Sequence, residues 1–336
     1  MQPTPVRILS GDIGGTKTRL AVITVDDAGL HTEHEHDYAS QDFPAFEGLL
    51  EDFLQGLDIP ARAAFGIAGP IQGSVVQTTN LPWRIDADVL QKKLGFTHCA
   101  LLNDLEATAS GLSILVPADF ATLHAGAPNA EGNAAVIAAG TGLGEAGLFW
   151  DGQRHHPFAT EGGHASFSPS FSPGDDREVA LLKYLQHRHA HVSWERLVSG
   201  PGLVSLHEFL RQYRRVAVPD WLQHEMQQGD AAAAIAHAAL QERDELCVEA
   251  LDWLVRLYGA EAGNLALKVM SRGGVYLGSG IAPKILPRLQ AGGFLDAFFN
   301  KGRMRPLLEA MPVKVILNDS AALYGAALHA SRLNPC

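Results

Sequence analysis

Cysteine is scarce in this chain. Cys99, Cys247 and Cys336 are three in 336 residues, odd in number and far apart, so neither a disulfide framework nor a zinc set follows from them. Long apolar runs are also missing. No stretch reaches the roughly 18 apolar residues of a membrane span. The opening MQPTPVRILSGD lacks a charged segment followed by an apolar one, so no signal peptide is expected. Positive charge is short as well: 26 Lys and Arg stand against 37 Asp and Glu, a net charge of −11. A duplex-binding protein presents a basic face, so neither nucleic acid nor a membrane is an expected partner. A reducing cytoplasm is the simplest setting. What remains is a globular composition, 46% hydrophobic and 19% charged, at a length that suggests two domains.

Glycine, by contrast, is clustered. In ILSGDIGGTKTRLAVI, residues 8–23, Gly11, Asp12, Ile13, Gly14, Gly15 and Thr16 lie between two apolar segments. The spacing fits neither the P-loop, G-x-x-x-x-G-K-[ST], nor the dinucleotide fingerprint, G-x-G-x-x-G, and both of those open a helix. Here the following RLAVITVD is short and β-branched and runs into the turn signal DDAG. The stretch reads as strand, tight turn, strand. Gly14 and Gly15 would let backbone N–H groups approach a phosphate, Thr16 adds a hydroxyl, and Asp12 could hold a magnesium ion through water. One such hairpin is equally well an ordinary turn.

A second copy changes that balance. AAVIAAGTGLGEAGLFWDG, residues 134–152, repeats the pattern around Gly140, Thr141 and Gly142. Two hairpins of this kind suggest an internal duplication around one nucleotide. GGVYLGSGIAPKIL, residues 273–286, reads as a buried strand, then Gly278, Ser279 and Gly280, then a helix from about Ala282. The set resembles the sugar kinase, Hsp70 and actin superfamily, in which the hairpins hold the phosphates and the third segment carries the adenosine. That resemblance implies an α/β fold of two ribonuclease H-like domains with the active site in the cleft between them. A small α/β domain would take residues 1–115 and 318–336. A large one, with a helical insertion around 229–267, would take 116–317.

Three further segments carry candidate chemistry. LLNDLEATA places Asn103 and Asp104 where a buried strand meets a helix, at the end that points into a ligand crevice in α/β units. Asp104 is either a helix N-cap or a general base that takes a proton from an attacking hydroxyl. FATEGGHASFSP sets Glu161 and His164 on either side of a Gly-Gly turn, a pairing suited to a polyhydroxylated ligand. WERLVSGPGL supplies Glu195 before Ser-Gly-Pro-Gly, read as a helix breaker. The histidine groups His31, His34 and His36, His155 and His156, and His187, His189 and His191 lack matched carboxylate or cysteine spacing and read as surface residues.

Together GDIGGTKTR, GIAGPI with TTNLPW, LLNDLEA, GTGLG, EGGHASFSP, ERLVSGPGL and LGSGIAPK closely resemble the bacterial, zinc-free, ATP-dependent glucokinases over essentially the whole chain. The resemblance implies transfer of the γ-phosphoryl group of Mg-ATP to the 6-hydroxyl of glucose. Asp104 would be the catalytic base. Asn103, Glu161, His164 and Glu195 would bind sugar hydroxyls, and Gly11 to Thr16 the ATP phosphates. It also implies a homodimer. Lys17 departs from the Asn that many relatives carry, and Glu145 stands where some carry an apolar residue. A lysine beside a phosphate hairpin either binds the triphosphate or faces solvent, and solvent is the expectation. The zinc cluster C-x-C-G-x-x-G-C of related sugar kinases and repressors is absent from the sequence, so His164 is expected to bind no metal. A kinase for another hexose or amino sugar is the enzymatic alternative. A sugar-sensing regulator would need a DNA-binding segment ahead of the first hairpin, where ten residues precede Gly11.

Overall fold

Residues 5–69, 71–78, 81–169, 176–278 and 280–333 are described by a computed structural model. The chain forms two units. The first comprises Met1–Asp119, Ala146–Ala159 and Asn318–Cys336, and the second Phe120–Glu145 and Thr160–Leu317. Asp119 is tied into the first unit by two hydrogen bonds, from the Val116 N–H at 2.8 Å and from Asn318 Nδ2 at 3.1 Å. Among the described residues no helix is long and apolar enough to cross a membrane.

In the first unit, β1 (Val6–Ile13), β2 (Lys17–Asp26) and β3 (Gly29–Ala39) form an antiparallel meander. The DDAG signal closes its second turn: Asp26 Oδ1 accepts from the N–H groups of Ala28 and Gly29, and Gly29 takes φ 131°. Helix α1 (Phe46–Phe53) buries Phe46, Leu49, Leu50 and Phe53, one face at helical spacing. After β4 (Arg62–Ile67), three short strands, β5 (Ile71–Gln72), β6 (Val75–Gln77) and β7 (Arg84–Asp86), make a small separate sheet. Helix α2 (Ala87–Leu94) starts at Asp86, whose carboxylate caps Asp88 and Val89, and stops at Gly95 in the left-handed region. Strand β8 (His98–Asn103) leads into α3 (Asp104–Gly111).

The main sheet has the order β3-β2-β1-β4-β8, with β1, β4 and β8 parallel. Successive residues of β1 serve opposite faces. Leu9 packs with Leu20, Phe46, Phe65 and Trp83, whereas Ile8 packs with Ala21, Ala64, Leu102 and the C-terminal helix.

The other sheet contains β9 (Phe120–His124), β10 (Ala134–Ala139), β11 (Leu143–Trp150), β12 (His155–Thr160), β13 (Gly274–Leu277) and β14 (Val313–Ile316), in the order β12-β11-β10-β13-β14-β9. Its first five strands repeat the first sheet's plan: two hairpins in a row, then two strands parallel to the first. This is the duplication that the two glycine stretches suggested. Helices α4 (Arg177–Gln186), α5 (Gly200–Arg214), α6 (Asp220–Gln228), α7 (Ala231–Leu240) and α8 (Glu245–Val269) supply most of the second unit's core. The helical stretch 229–267 is split, because Glu242 enters the left-handed region at φ 53° and Asp244 caps Cys247 to start α8 afresh. After Gly280 the expected helix from Ala282 is a 3₁₀ turn, Ala282–Ile285, and α9 (Leu286–Gln290) follows. Pro283 and Pro287 lack the N–H that a continuous α-helix needs. Short helices α10 (Gly293–Phe299) and α11 (Arg305–Glu309) precede β14, and α12 (Ala321–Ser331) ends the described chain.

Helix α12 has little polar face and is buried almost all round. It meets α3 backbone to backbone. A Cβ on Gly325 would overlap the carbonyl oxygen of Ala107, and one on Gly111 would overlap that of Ala321. The Ser10 hydroxyl, buried in β1, donates to Leu323 O at 2.6 Å and fixes the same helix to the sheet. Two glycine-to-alanine changes should therefore have opposite signs. Gly48 is exposed in α1 with open space around it, so Gly48→Ala should stabilise by about 0.5–1 kcal/mol. Gly325→Ala improves helix propensity equally but forces two helices apart, and should destabilise by about 1–3 kcal/mol. Urea denaturation of both variants measures this, and a stabilised Gly325→Ala would refute the packing account.

Candidate active site

The first hairpin turn is built by its neighbours as much as by its glycines. The Gly14 N–H donates to Lys17 O at 3.0 Å, and a Cβ on Gly14 would stand 2.9 Å from that oxygen. At Gly11 a Cβ would press on Phe65 Cδ1 at 2.7 Å and Leu20 Cδ2 at 2.8 Å. Ser40, fully buried just after β3, clamps the turn. Its N–H donates to Thr16 O at 3.0 Å and its hydroxyl to Gly14 O at 2.8 Å, with Thr18 Oγ1 at 2.9 Å. No sequence signal marks Ser40, because its role comes from strand pairing across the hairpin. Ile13 is buried as the last residue of β1, and Thr16 is exposed at the tip. Lys17 is exposed and pairs with Asp37 on β3 at 2.6 Å.

Three acidic or amide side chains collect at the carboxyl ends of the parallel strands. Asp12 lies beside Gly66 in register, and Ile67 beside Asn103. A Cβ on Gly66 would meet Ala107 Cβ at 2.8 Å and Asp104 Cα at 3.9 Å, so glycine there lets the start of α3 come down onto the sheet. The helix cap is Asn103 rather than Asp104. Asn103 Oδ1 accepts from Leu105 N at 3.0 Å and Glu106 N at 3.4 Å. Asp104 is the first helical residue, and its Oδ1 accepts from Leu105 N at 2.9 Å. Burial and then the neighbouring Asp104 carboxylate push the Asp12 carboxyl up to about 7, against the pull of Arg19 and Lys17. Arg19, opposite Asp12 across the hairpin, is held by Asp37 at 2.8 Å, Asp319 at 3.0 Å and the Ser320 hydroxyl at 2.8 Å.

In the second unit the residues from three segments meet. Glu161 precedes a 3₁₀ turn, Gly162–His164, that ends on His164, and Glu195 sits in another, Trp194–Arg196. His164 Nε2 lies 3.8 Å from Glu161 Oε2, and its Nδ1 lies 3.9 Å from Glu195 Oε1. The other Glu195 oxygen accepts from Leu143 N at 3.1 Å and fills the space beside Gly142. The two turns are stitched together: Phe167 N donates to Val192 O at 2.9 Å and Trp194 N to Ala165 O at 3.0 Å. The Ser-Gly-Pro-Gly stretch starts a helix instead of breaking one. Ser199 caps Gly202, and Pro201 stands in the first turn of α5, where its missing N–H costs nothing.

The second glycine turn adjoins this cluster. Gly140 N donates to Gly142 O, and Gly140 O accepts from Gly200 N, both at 2.8 Å, while Thr141 is exposed at its tip. Gly278 N donates to Ile137 O at 2.8 Å, and Gly280, at φ 97°, leaves no room for a Cβ against Ala139 O. Ser279 lies outside the described residues. Glu145, which stands out in the sequence only as a charged residue where some relatives carry an apolar one, sits within β11 with 2% exposure, and burial and Glu261 push it up to about 8.

The surface histidines His31, His34 and His36 line the exposed edge strand β3. Among the described residues one group has metal-like spacing, His207, Asp244 and Cys247. The Arg211 guanidinium already holds it, from Nε to His207 Nε2 at 3.0 Å and from Nη2 to Asp244 Oδ1 at 2.6 Å, so a cation of the protein's own occupies that position.

The glucokinase family model matches residues 9–333. A glucokinase of Nostoc punctiforme is 45% identical over 97% of this chain and 99% of its own. The crystal structure of a glucokinase from an Antarctic psychrotroph is similar at a TM-score of 0.82 and 31% identity, covering 97% of this chain and 99% of that one. A ROK-family glucokinase from Streptomyces griseus, in complex with glucose and AMPPNP, has a TM-score of 0.66 over 97% of this chain and 100% of its own; at 23% identity it speaks for the fold alone. The two glycine hairpins, the acidic strand ends and a match running nearly end to end agree: the chain belongs to the glucokinase family.

Proposed function

We propose that the chain is an ATP-dependent hexose kinase that phosphorylates glucose at its 6-hydroxyl, with Asp104 as general base. The placing of His164 within 4.0 Å of both Glu161 and Glu195 is the observation that carries the sugar half. Two carboxylates and an imidazole offer acceptors and a switchable donor, the chemistry that a ring of hydroxyls requires. Asn103 is also assigned to sugar hydroxyls, through its amide nitrogen, since its Oδ1 is engaged as a helix cap. The glycine turns at Gly11 to Thr16 and Gly140 to Gly142, with Gly278 to Gly280, are assigned to ATP.

Asp104 suits the base because it stands at the strand ends beside Asp12, so the hydroxyl proton passes to a carboxylate as the oxygen bonds to the γ-phosphorus in line and the bond to the bridging oxygen breaks, releasing ADP. Asp12 fits magnesium carried by ATP. Its ionisation is opposed by burial and by Asp104, and a divalent cation relieves that opposition. When bound, the ion screens the charge on the phosphate oxygens. The reading extends to a cytoplasmic homodimer, for which family resemblance is the support.

If those side chains read hydroxyls in a closed complex, an analogue lacking one leaves a polar group unpaired there, and discrimination can reach about 10⁴. Glucose should be phosphorylated far better than 2-deoxy, galacto or N-acetylated analogues in a coupled assay. Equal kcat/KM for glucose and N-acetylglucosamine would move the assignment to an amino-sugar kinase.

Asp104→Asn keeps the shape and removes the proton acceptor, and should lower kcat by about 10²–10⁴. Because Asn103 supplies the helix cap, the thermal midpoint should barely move. Glucose affinity by calorimetry should change by about tenfold or less. Near wild-type kcat in a folded Asp104→Asn protein would remove Asp104 from the mechanism.

A further inference from the structure

The turn that carries Glu161 and His164 has an unusual floor. A Cβ on Gly163 would overlap Leu143 O, and one on Gly162 would overlap Glu145 Oε2, so the Gly-Gly pair lies directly on β11 and on the Glu145 carboxyl. Thr160 adds a second link. Its hydroxyl donates to Glu145 O at 3.1 Å and accepts from Gly162 N at 3.3 Å. Yet no donor reaches Glu145 Oε1, which is buried without a hydrogen-bond partner. An ionised carboxylate left that way is costly.

The groups facing Glu145 decide its form. From α8 comes Glu261, fully buried. Glu261 has support of its own: Asn264 Nδ2 donates to its Oε2 at 2.8 Å, and Lys268 Nζ stands 3.5 Å from its Oε1. Lys301 backs this network by donating to Asn264 Oδ1 at 2.6 Å and Ala260 O at 2.8 Å. Tyr258, also on α8, gives its hydroxyl proton to Ile137 O at 2.9 Å and offers Glu145 no donor. Lys268 also pulls on Glu145, but only Glu261 has donors in direct contact. Two carboxyl groups facing each other in dry surroundings share one proton, and the one with the weaker cationic support retains it. That group is Glu145.

We propose that Glu145 is a positioning residue for the sugar: as a neutral acid it supports the Gly162–Gly163 turn and so sets where Glu161 and His164 meet glucose. This rests on the assignment of Glu161 and His164 as sugar ligands. The sign of the pH effect follows. Burial and Glu261 raise Glu145 to about 8, so its support is intact below that pH and is lost as pH rises through it. Ionisation then sets like charges under the turn, and glucose binding weakens on the alkaline side.

The full-length wild type, Glu145→Gln and Glu145→Ala separate the possibilities. Glucose KM, ATP KM and kcat would be measured from about pH 6 to about pH 9.5, with hydrogen exchange read at the amides of 160–165. Glu145→Ala should raise glucose KM about tenfold at neutral pH while kcat and ATP KM stay within about twofold. Exchange at the turn should quicken. Glu145→Gln, a permanent mimic of the acid form, should restore glucose KM and remove its alkaline rise. An unchanged glucose KM in Glu145→Ala, an equal rise in ATP KM, or an alkaline rise retained in Glu145→Gln would each overturn the proposal. Should Glu145→Ala not fold, the pH profile of Glu145→Gln decides alone. A wild type that ignores glucose would bring down the sugar assignment, whereas exchange at the turn still reports whether Glu145 supports it.

Discussion

The first unit depends on how closely α3 approaches its neighbours. Gly66 lets the helix down onto β4, while Gly111 and Gly325 let it meet α12 with no side chain between the backbones. Contacts this close leave no slack, because an added methyl group has nowhere to go. The consequence falls at the helix start. Asp104 Cα comes near the position a Gly66 side chain would take, beside the strand end that carries Asp12. Three glycines without a side chain thus help set where Asp104 stands beside the strand end that carries Asp12.

Crowded carboxylates recur in both units. Asp12 stands near Asp104, and Glu145 faces Glu261. In each pair burial is the larger cause of the raised carboxyl and the second carboxylate adds to it. The surroundings differ. Arg19 and Lys17 oppose the rise at Asp12, near the end of β1. Glu145 is closed in beneath a glycine turn, where a proton is the small cation that fits. The same electrostatic conflict underlies both proposals, a cation at Asp12 and a neutral acid at Glu145.

The repeated sheet order explains why both halves have a glycine turn to offer. Each meander leads into two parallel strands, and in each the turn lies at the end of the first strand. The repeat is topological. Ser40 clamps the first turn from the end of the meander, whereas the second is held by Gly200 at the start of α5 and by Leu143 bonded to Glu195. One anchor of the second turn, Glu195, is itself a proposed sugar ligand, which links the proposed phosphate and sugar groups within one unit.

Local pattern determined much of this protein. Alternating and β-branched segments bounded by DDAG and the glycine stretches specify strands and hairpins. Asp86 and Gly95 specify where α2 begins and ends, and the repeated glycine motif announced the duplication. Those features rest on backbone geometry within a few residues, which a sequence displays directly. Tertiary structure decided the rest. Asn103, not Asp104, caps α3, because the direction of the incoming strand selects the residue whose side chain turns back. Ser-Gly-Pro-Gly opens α5 because Ser199 meets the Gly202 amide, and Pro283 and Pro287 delay α9. Ser40 and Glu261 carry no sequence signal, and Glu145 showed there only as a departure from its relatives, with no sign of its partner. A hydroxyl clamp across 26 residues and a shared proton between strand and helix arise only when distant segments exclude water together.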